Sequence, residues 1–132
     1  MKAVIVPAKG GPTIVDFNKG DSYDLIQNSV GGTFDCIRLH SIGADMWIHD
    51  EGKIIGLPVN SLASMLWFQE YGFSDVIAGD ALITGGTDEE GNTLGLTEKE
   101  ANDVIDTMYG MNSALVLKVA LSESMRFEDS YV

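Results

Sequence analysis

Residues 45–86 read DMWIHDEGKIIGLPVNSLASMLWFQEYGFSDVIAGDALITGG, and the interpretation of this stretch decides the fold. Met46-Trp47-Ile48 is a run of large residues that favour extended backbone. Asp50-Glu51-Gly52-Lys53 has turn chemistry, with acids at the entrance and a glycine able to take a positive φ. Ile54-Ile55 follows, so the segment reads as a hairpin with strands near 46–49 and 53–56. Pro58 cannot donate to a sheet ladder and biases Leu57 to extended geometry, which ends the second strand.

Asn60 then suits the N-cap of a helix over 61–71, because its side-chain oxygen can accept an otherwise unpaired backbone N–H. Gly72 suits the position after the last turn. Leu62, Ala63, Met65, Leu66, Trp67 and Phe68 make this helix apolar nearly all round, so it is expected to be buried on more than one side, with a partner surface as the alternative. Val76 to Ala78 and Ala81 to Ile83 form an apolar run interrupted by Gly79-Asp80. The better strand is 80–84, stopped by Gly85-Gly86.

Working outward, Lys2 to Val6 reads as a strand interior to a sheet, and Thr13 to Phe17 as a second strand after the Lys9–Pro12 loop. Asp21 is an N-cap candidate for a helix over 22–30, with Asp24 in its first turn. Thr33 to Leu39 alternates, placing Phe34 and Cys36 on one side and Ile37 and Leu39 on the other. Thr93 to Leu96 reads as a short edge strand. Thr97-Glu98-Lys99-Glu100 is a capping box, and Ala101, Val104, Ile105 and Met108 follow at helical spacing, giving a helix over 98–109 closed by Gly110. Ala114 to Leu121 reads as another apolar strand, and the tail from Ser122 is polar apart from Phe127 and Tyr131. The expected class is α+β: a mixed or antiparallel sheet with two or three helices packed on it.

The 132 residues favour a single domain, and a 45% hydrophobic content is enough for a core. No apolar run reaches the ~18 residues of a membrane span, and the apolar start at Lys2 to Val6 is too short for a signal peptide. A single cysteine, Cys36, excludes an internal disulfide and fits a reducing cytoplasm. Twenty acids against eight bases give a net charge of −12. Direct nucleic-acid binding is therefore not expected, because few cations are present to displace counterions from phosphates. The charge leaves solubility, a basic protein partner and mimicry of nucleic acid open.

At Gly56-Leu57-Pro58-Val59-Asn60, then Ala63, then Ile77-Ala78-Gly79-Asp80-Ala81, the chain resembles the domain of unknown function 3846, a family of phage and mobile-element genomes. The opening Lys2-Ala3-Val4-Ile5-Val6-Pro7-Ala8, the turn Asp50 to Lys53 and Val30-Gly31-Gly32 fit it as well. The resemblance spans roughly residues 1–85, leaving an acidic helix and C-terminal strand over 86–121 and the polar tail over 122–132. It implies a phage protein made in a bacterial host cytoplasm and brings no activity to any residue.

No catalytic constellation is visible. Cys36, His40 and His49, with Asp50 or Glu51, match no zinc spacing, and Cys36 is expected in packing beside Phe34. His49 reads as an outer-face residue of the hairpin. Asp88-Glu89-Glu90-Gly91-Asn92 lacks the alternating ligands of a calcium loop and reads as a solvated turn. Gly10-Gly11 and Gly85-Gly86 lack the pattern of phosphate loops. No metal and no cofactor are expected.

Asp88, Glu89, Glu90, Glu98, Glu100, Asp103 and Asp106 concentrate seven acids against one base, Lys99. They are either a solvated face or a docking face for a basic host protein. Trp47, Trp67, Tyr71 and Asp80 are candidates for a small-ligand pocket, with nucleotides as the class to try. The reading that follows is a non-enzymatic phage accessory protein that binds a host protein. Nucleic-acid mimicry and small-ligand sequestration are the alternatives, and homodimerisation stays open.

Overall fold

The computed structural model describes residues 1–129 of the chain, and side chains as far as residue 115. Its centre is a five-stranded antiparallel sheet of order β2-β1-β5-β4-β3. The strands are β1 (Lys2–Val6), β2 (Thr13–Asp16), β3 (Phe34–Leu39), β4 (Ala44–His49) and β5 (Ala81–Thr84). Three helices, α1 (Ser22–Val30), α2 (Ser61–Tyr71) and α3 (Glu98–Asp129), complete an α+β arrangement, with a small hairpin of β6 (Gly86–Thr87) and β7 (Thr93–Leu94) beside it.

Alternation along the strands divides the core in two. Val4, Val6, Met46, Ala81 and Ile83 face one way and pack with Leu66 of α2 and Ala101, Val104 and Met108 of α3. Ala3 and Leu82 face the other way and pack with Phe17, with Ile26 of α1 and with the half-buried Trp47. α2 is enclosed by the sheet and by α3, which explains why it is apolar on every side.

Two expected elements are corrected. Residues 50–56 are consecutive turns, and no strand forms over 53–56. The edge of β4 that such a strand would occupy is taken by β5, with Trp47 opposite Leu82 and Asp45 opposite Thr84. β4 forms its hairpin with β3 instead. Gly52 has no positive φ. It is required because a Cβ there would lie 2.7 Å from the Ala78 carbonyl oxygen.

The second correction concerns 114–121, which is helix. α3 continues without a break through Gly110 for 32 residues. A short apolar run does not distinguish strand from buried helix by periodicity, and a single glycine costs a helix only about 1 kcal/mol. Of the expected polar tail, 122–129 belongs to α3, and residues 130–132, with Tyr131, lie outside the described residues.

Local signals at the helix ends mostly hold. The αL residue after α1 is Gly31, whose N–H reaches the Gln27 carbonyl at 2.9 Å. Asp21 occupies the cap position of α1 without a side-chain bond to the helix. The capping box of α3 is formed from both sides: Thr97 N–H donates to Glu100 Oε1 at 2.9 Å, and Glu100 N–H donates to Thr97 Oγ1 at 3.1 Å.

Candidate functional site

The residues that carried the resemblance form a structural knot. Asn60 is fully buried. Its Oδ1 accepts from Ala63 N–H at 3.0 Å, capping α2, while its Nδ2 donates to the carbonyls of Val6 (2.7 Å) and Gly79 (3.0 Å). Ser64 Oγ donates to the Asn60 carbonyl at 2.7 Å and accepts from Ile77 N–H at 2.9 Å. Gly79 N–H donates to the Pro58 carbonyl at 2.7 Å, and Val59 bridges Ala78. Asp80, the candidate pocket acid, accepts from Ala8 N–H at 2.8 Å and ties down the end of β1. The residues of GLPVN and IAGDA thus hold α2, β1 and the entry to β5 together, chiefly through Asn60 and Ser64, whose buried polar groups are all satisfied.

Trp47 and Trp67 lie on opposite faces of the sheet, so no cavity holds both. Trp47 Nε1 donates to the buried Thr84 Oγ1 at 2.9 Å, and its ring meets Phe34 edge-on. Next to it, Asp45 is 2% exposed and is held by Arg38 Nη1 at 2.8 Å and Thr87 Oγ1 at 3.3 Å. Cys36 belongs to the same face. It is exposed at the edge strand rather than packed away. Partial desolvation against the sheet, and then the nearby Asp45 carboxylate, push its thiol up to about 11. The thiol is protonated at neutral pH and is a weak nucleophile there.

Trp67 belongs to the opposite face and stacks on Tyr71, with ring centroids 4.5 Å apart. The Tyr71 hydroxyl donates to the Arg38 carbonyl at 2.5 Å. Beside this pair a cleft of about 360 Å³ opens, with Ile37, Ile48, Trp67 and Ile77 inside. Two loops frame it. Lys53 and Ile54 come from the 50–56 turns, and Asp75 and Val76 from the segment after α2. The Lys53 ammonium pairs with the Asp75 carboxylate across the mouth and holds Asp75 below the usual carboxylate range. His49 also lines the cleft, half-buried at the end of β4 rather than on an outer face, and its Nδ1 accepts from Glu51 N–H at 3.0 Å.

The loops around the cleft, with the last residue of α2, carry half of the large exposed apolar side chains among the described residues, including the two most exposed. Ile54 is 85% exposed and Phe73 is 72% exposed, with Ile55, Tyr71 and Val76 also on the surface. Sequence reasoning assigned Ile54-Ile55 to a strand and passed over Phe73. The available signal was an aromatic residue directly after the helix-ending Gly72, followed by the polar Ser74-Asp75.

The seven acids divide between a turn and a helix. Asp88 lies in the β6–β7 turn and accepts from the N–H groups of Asn92 (2.8 Å) and Glu90 (2.9 Å). The Asn92 N–H is the main reason its carboxyl lies below the ordinary range. Glu100 is engaged in the capping box, and Asp103 pairs with Lys99 at 2.8 Å. Glu89, Glu90, Glu98 and Asp106 are exposed. Among the described residues no group of three or more His, Cys, Asp or Glu is placed to hold a metal ion, and no helix is long and apolar enough to cross a membrane.

A family match covers residues 1–109, under the description Domain of unknown function (DUF3846). The chain belongs to this family. The DUF3846 match runs past residue 85, where the visible resemblance ended, and takes in the first three turns of α3. No curated protein and no solved structure matches the chain. Within the DUF3846 fold, the quoted motif residues are those of the Asn60 knot, and the cleft opens beside it.

Proposed function

We propose that this DUF3846 chain is a non-enzymatic interaction protein: a phage accessory factor that binds a host protein in the bacterial cytoplasm. The observation that carries this reading is that the two loops framing an apolar cleft each carry a large exposed apolar side chain, Ile54 on one and Phe73 on the other. Soluble monomers rarely leave clustered large apolar groups in water without using them. The net charge of −12 supports a partner with a basic surface, since long-range attraction accelerates encounter and apolar contact then holds the complex. The phage setting rests on the resemblance set out above.

Glu89, Glu90, Glu98 and Asp106 supply the attraction in this reading, because they lack the structural duties of Asp88, Glu100 and Asp103. The same four acids keep nucleic-acid mimicry as the second reading. Nucleotide sequestration has less support, as Lys53 on the cleft rim is already neutralised by Asp75.

The test is affinity capture from nuclease-treated bacterial lysate. It uses the wild-type chain beside a variant carrying Glu89→Gln, Glu90→Gln, Glu98→Gln and Asp106→Asn. An enriched host protein that weakens with the neutralised variant supports the reading. If that protein then fails to engage DNA while bound, mimicry is favoured. No enriched protein with either form overturns the reading.

A further inference from the structure

The sheet has an open edge beside the cleft. Among the described residues, β3 is the last strand in the order and pairs only with β4. Asp50 N–H donates to the Thr33 carbonyl, which fixes the alternation: residues 33, 35, 37 and 39 bond inward to β4. The backbone groups of Phe34, Cys36 and Arg38 therefore point away from the sheet. Tyr71 reaches the Arg38 carbonyl, in agreement with that parity. Among the described residues, none bonds the backbone N–H or carbonyl of Phe34 or Cys36.

An edge with unpaired backbone groups is a template for another strand. This one borders the cleft, because Ile37 of β3 lines it. A strand laid along β3 would therefore gain a backbone ladder and also a seat for one side chain, as in recognition by strand addition. Charge selects the occupant. On the cleft side, Asp35 stands next to Ile37 in the alternation, and Asp50 follows at the end of β4 with Thr33 Oγ1 on its carboxylate. A second copy of this chain would bring the same carboxylates and another −12 charge against them. A basic–apolar segment of a different protein meets opposite charge at Asp35 and Asp50 and an apolar seat at Ile37.

We propose that the outer edge of β3 binds an extended basic–apolar segment of a partner protein by antiparallel strand addition centred on Cys36. This deepens the interaction reading and rests on it. Asp35 faces a lysine of the added strand, Ile37 and the cleft face a β-branched apolar residue, and Cys36 exchanges both backbone bonds with the residue opposite.

The test uses the wild-type chain and an acetylated peptide, Val-Thr-Lys-Val-Lys, matched to residues 37 down to 33, short of the Arg38 carbonyl that Tyr71 occupies. One control replaces both lysines by glutamate. Another N-methylates the threonine opposite Cys36, removing one ladder donor without altering charge. The lysine peptide is expected to bind and to slow hydrogen exchange of the Cys36 amide. N-methylation is expected to weaken binding by at least about tenfold, and the glutamate peptide to bind no better than that. Equal binding of the methylated peptide, an unchanged Cys36 amide, or no binding overturns strand addition, and equal binding of the glutamate peptide overturns the basic segment. Concentration-dependent protection of Cys36 in the free chain would make the occupant a second copy and also overturn it. Lysate capture is read independently, so strand addition can fail while the interaction reading survives.

Discussion

Asn60 Nδ2 donates to the carbonyl oxygen of Val6 at 2.7 Å, across 54 residues of sequence, inside a site closed to solvent. The same side chain caps α2 and holds the Gly79 carbonyl. Replacement by alanine strips the Gly79 carbonyl and the Ala63 N–H of their Asn60 partner and leaves the Val6 carbonyl with its sheet bond alone. Each buried group left unpaired costs about 1–3 kcal/mol. Asn60→Ala is expected to lower stability by about 3 kcal/mol or more, measured by chemical denaturation. Asn60→Asp keeps the cap but turns the donor into an acceptor facing two carbonyls. It is expected to be at least as damaging, and a near-neutral result for either variant would remove the knot from the account.

Glu100 and Glu98 are neighbours on one acidic helix, and the structure separates their roles. Glu100→Lys breaks the capping box and is expected to cost about 1 kcal/mol in unfolding free energy. Glu98→Lys and Asp106→Lys touch no such bond and are expected to stay within about 0.5 kcal/mol. Charge-reversal tests of partner binding therefore need to spare Glu100, or lost binding will report a frayed helix.

Cys36 is accessible yet has a thiol pushed up to about 11. Alkylation by iodoacetamide is expected to be slow at pH 7.5 relative to a small free thiol, and to rise continuously up to pH 10, since only the thiolate reacts. A rate that saturates near pH 8 would show that desolvation and the Asp45 charge do not act on this sulfur.

Acid weakens the fold through several surface carboxyls at once. Asp16 is held below its ordinary 3.8 by Lys2, Asp75 by Lys53, and Asp88 by the Asn92 N–H. Glu70 is held below its ordinary 4.5 by Ser41. A carboxyl lowered in the folded state contributes stability that is complete above its unfolded value and is lost as pH falls through the folded one. The thermal midpoint, read in salt that screens the net charge, is expected to be level from pH 7 to 5 and to fall below about 4. A midpoint that rises on acidification through 4 would contradict these partnerships.

Much of the architecture was legible because its causes are local. The Asn60 cap, Gly31, the Thr97–Glu100 box and the alternation of Phe34 and Cys36 against Ile37 and Leu39 are each written within a few residues. The partner of β4 was not legible, because whether β5 or the 53–56 segment takes its free edge depends on the chain 30 residues later. The length of α3 was obscured because the apolar run after Met111 satisfies strand and helix patterns equally. The site was the least legible part. Its walls, Lys53 with Ile54 and Asp75 with Val76, come together only when the two loops fold against each other. That Trp47 faces away from Met46 and Ile48 was legible from strand parity, whereas the side of the sheet that α2 and its Trp67 cover was not.

The central claim is that the cleft and its apolar rim are where this protein meets its partner. The most direct measurement places a photo-crosslinking residue at Ile54, and in a separate chain at Tyr23, an exposed side chain on α1. Both are expressed in bacterial cells, irradiated and resolved by mass. The account predicts one discrete protein adduct from position 54 and none from position 23. Equal adducts from both positions, or none from 54, would contradict it.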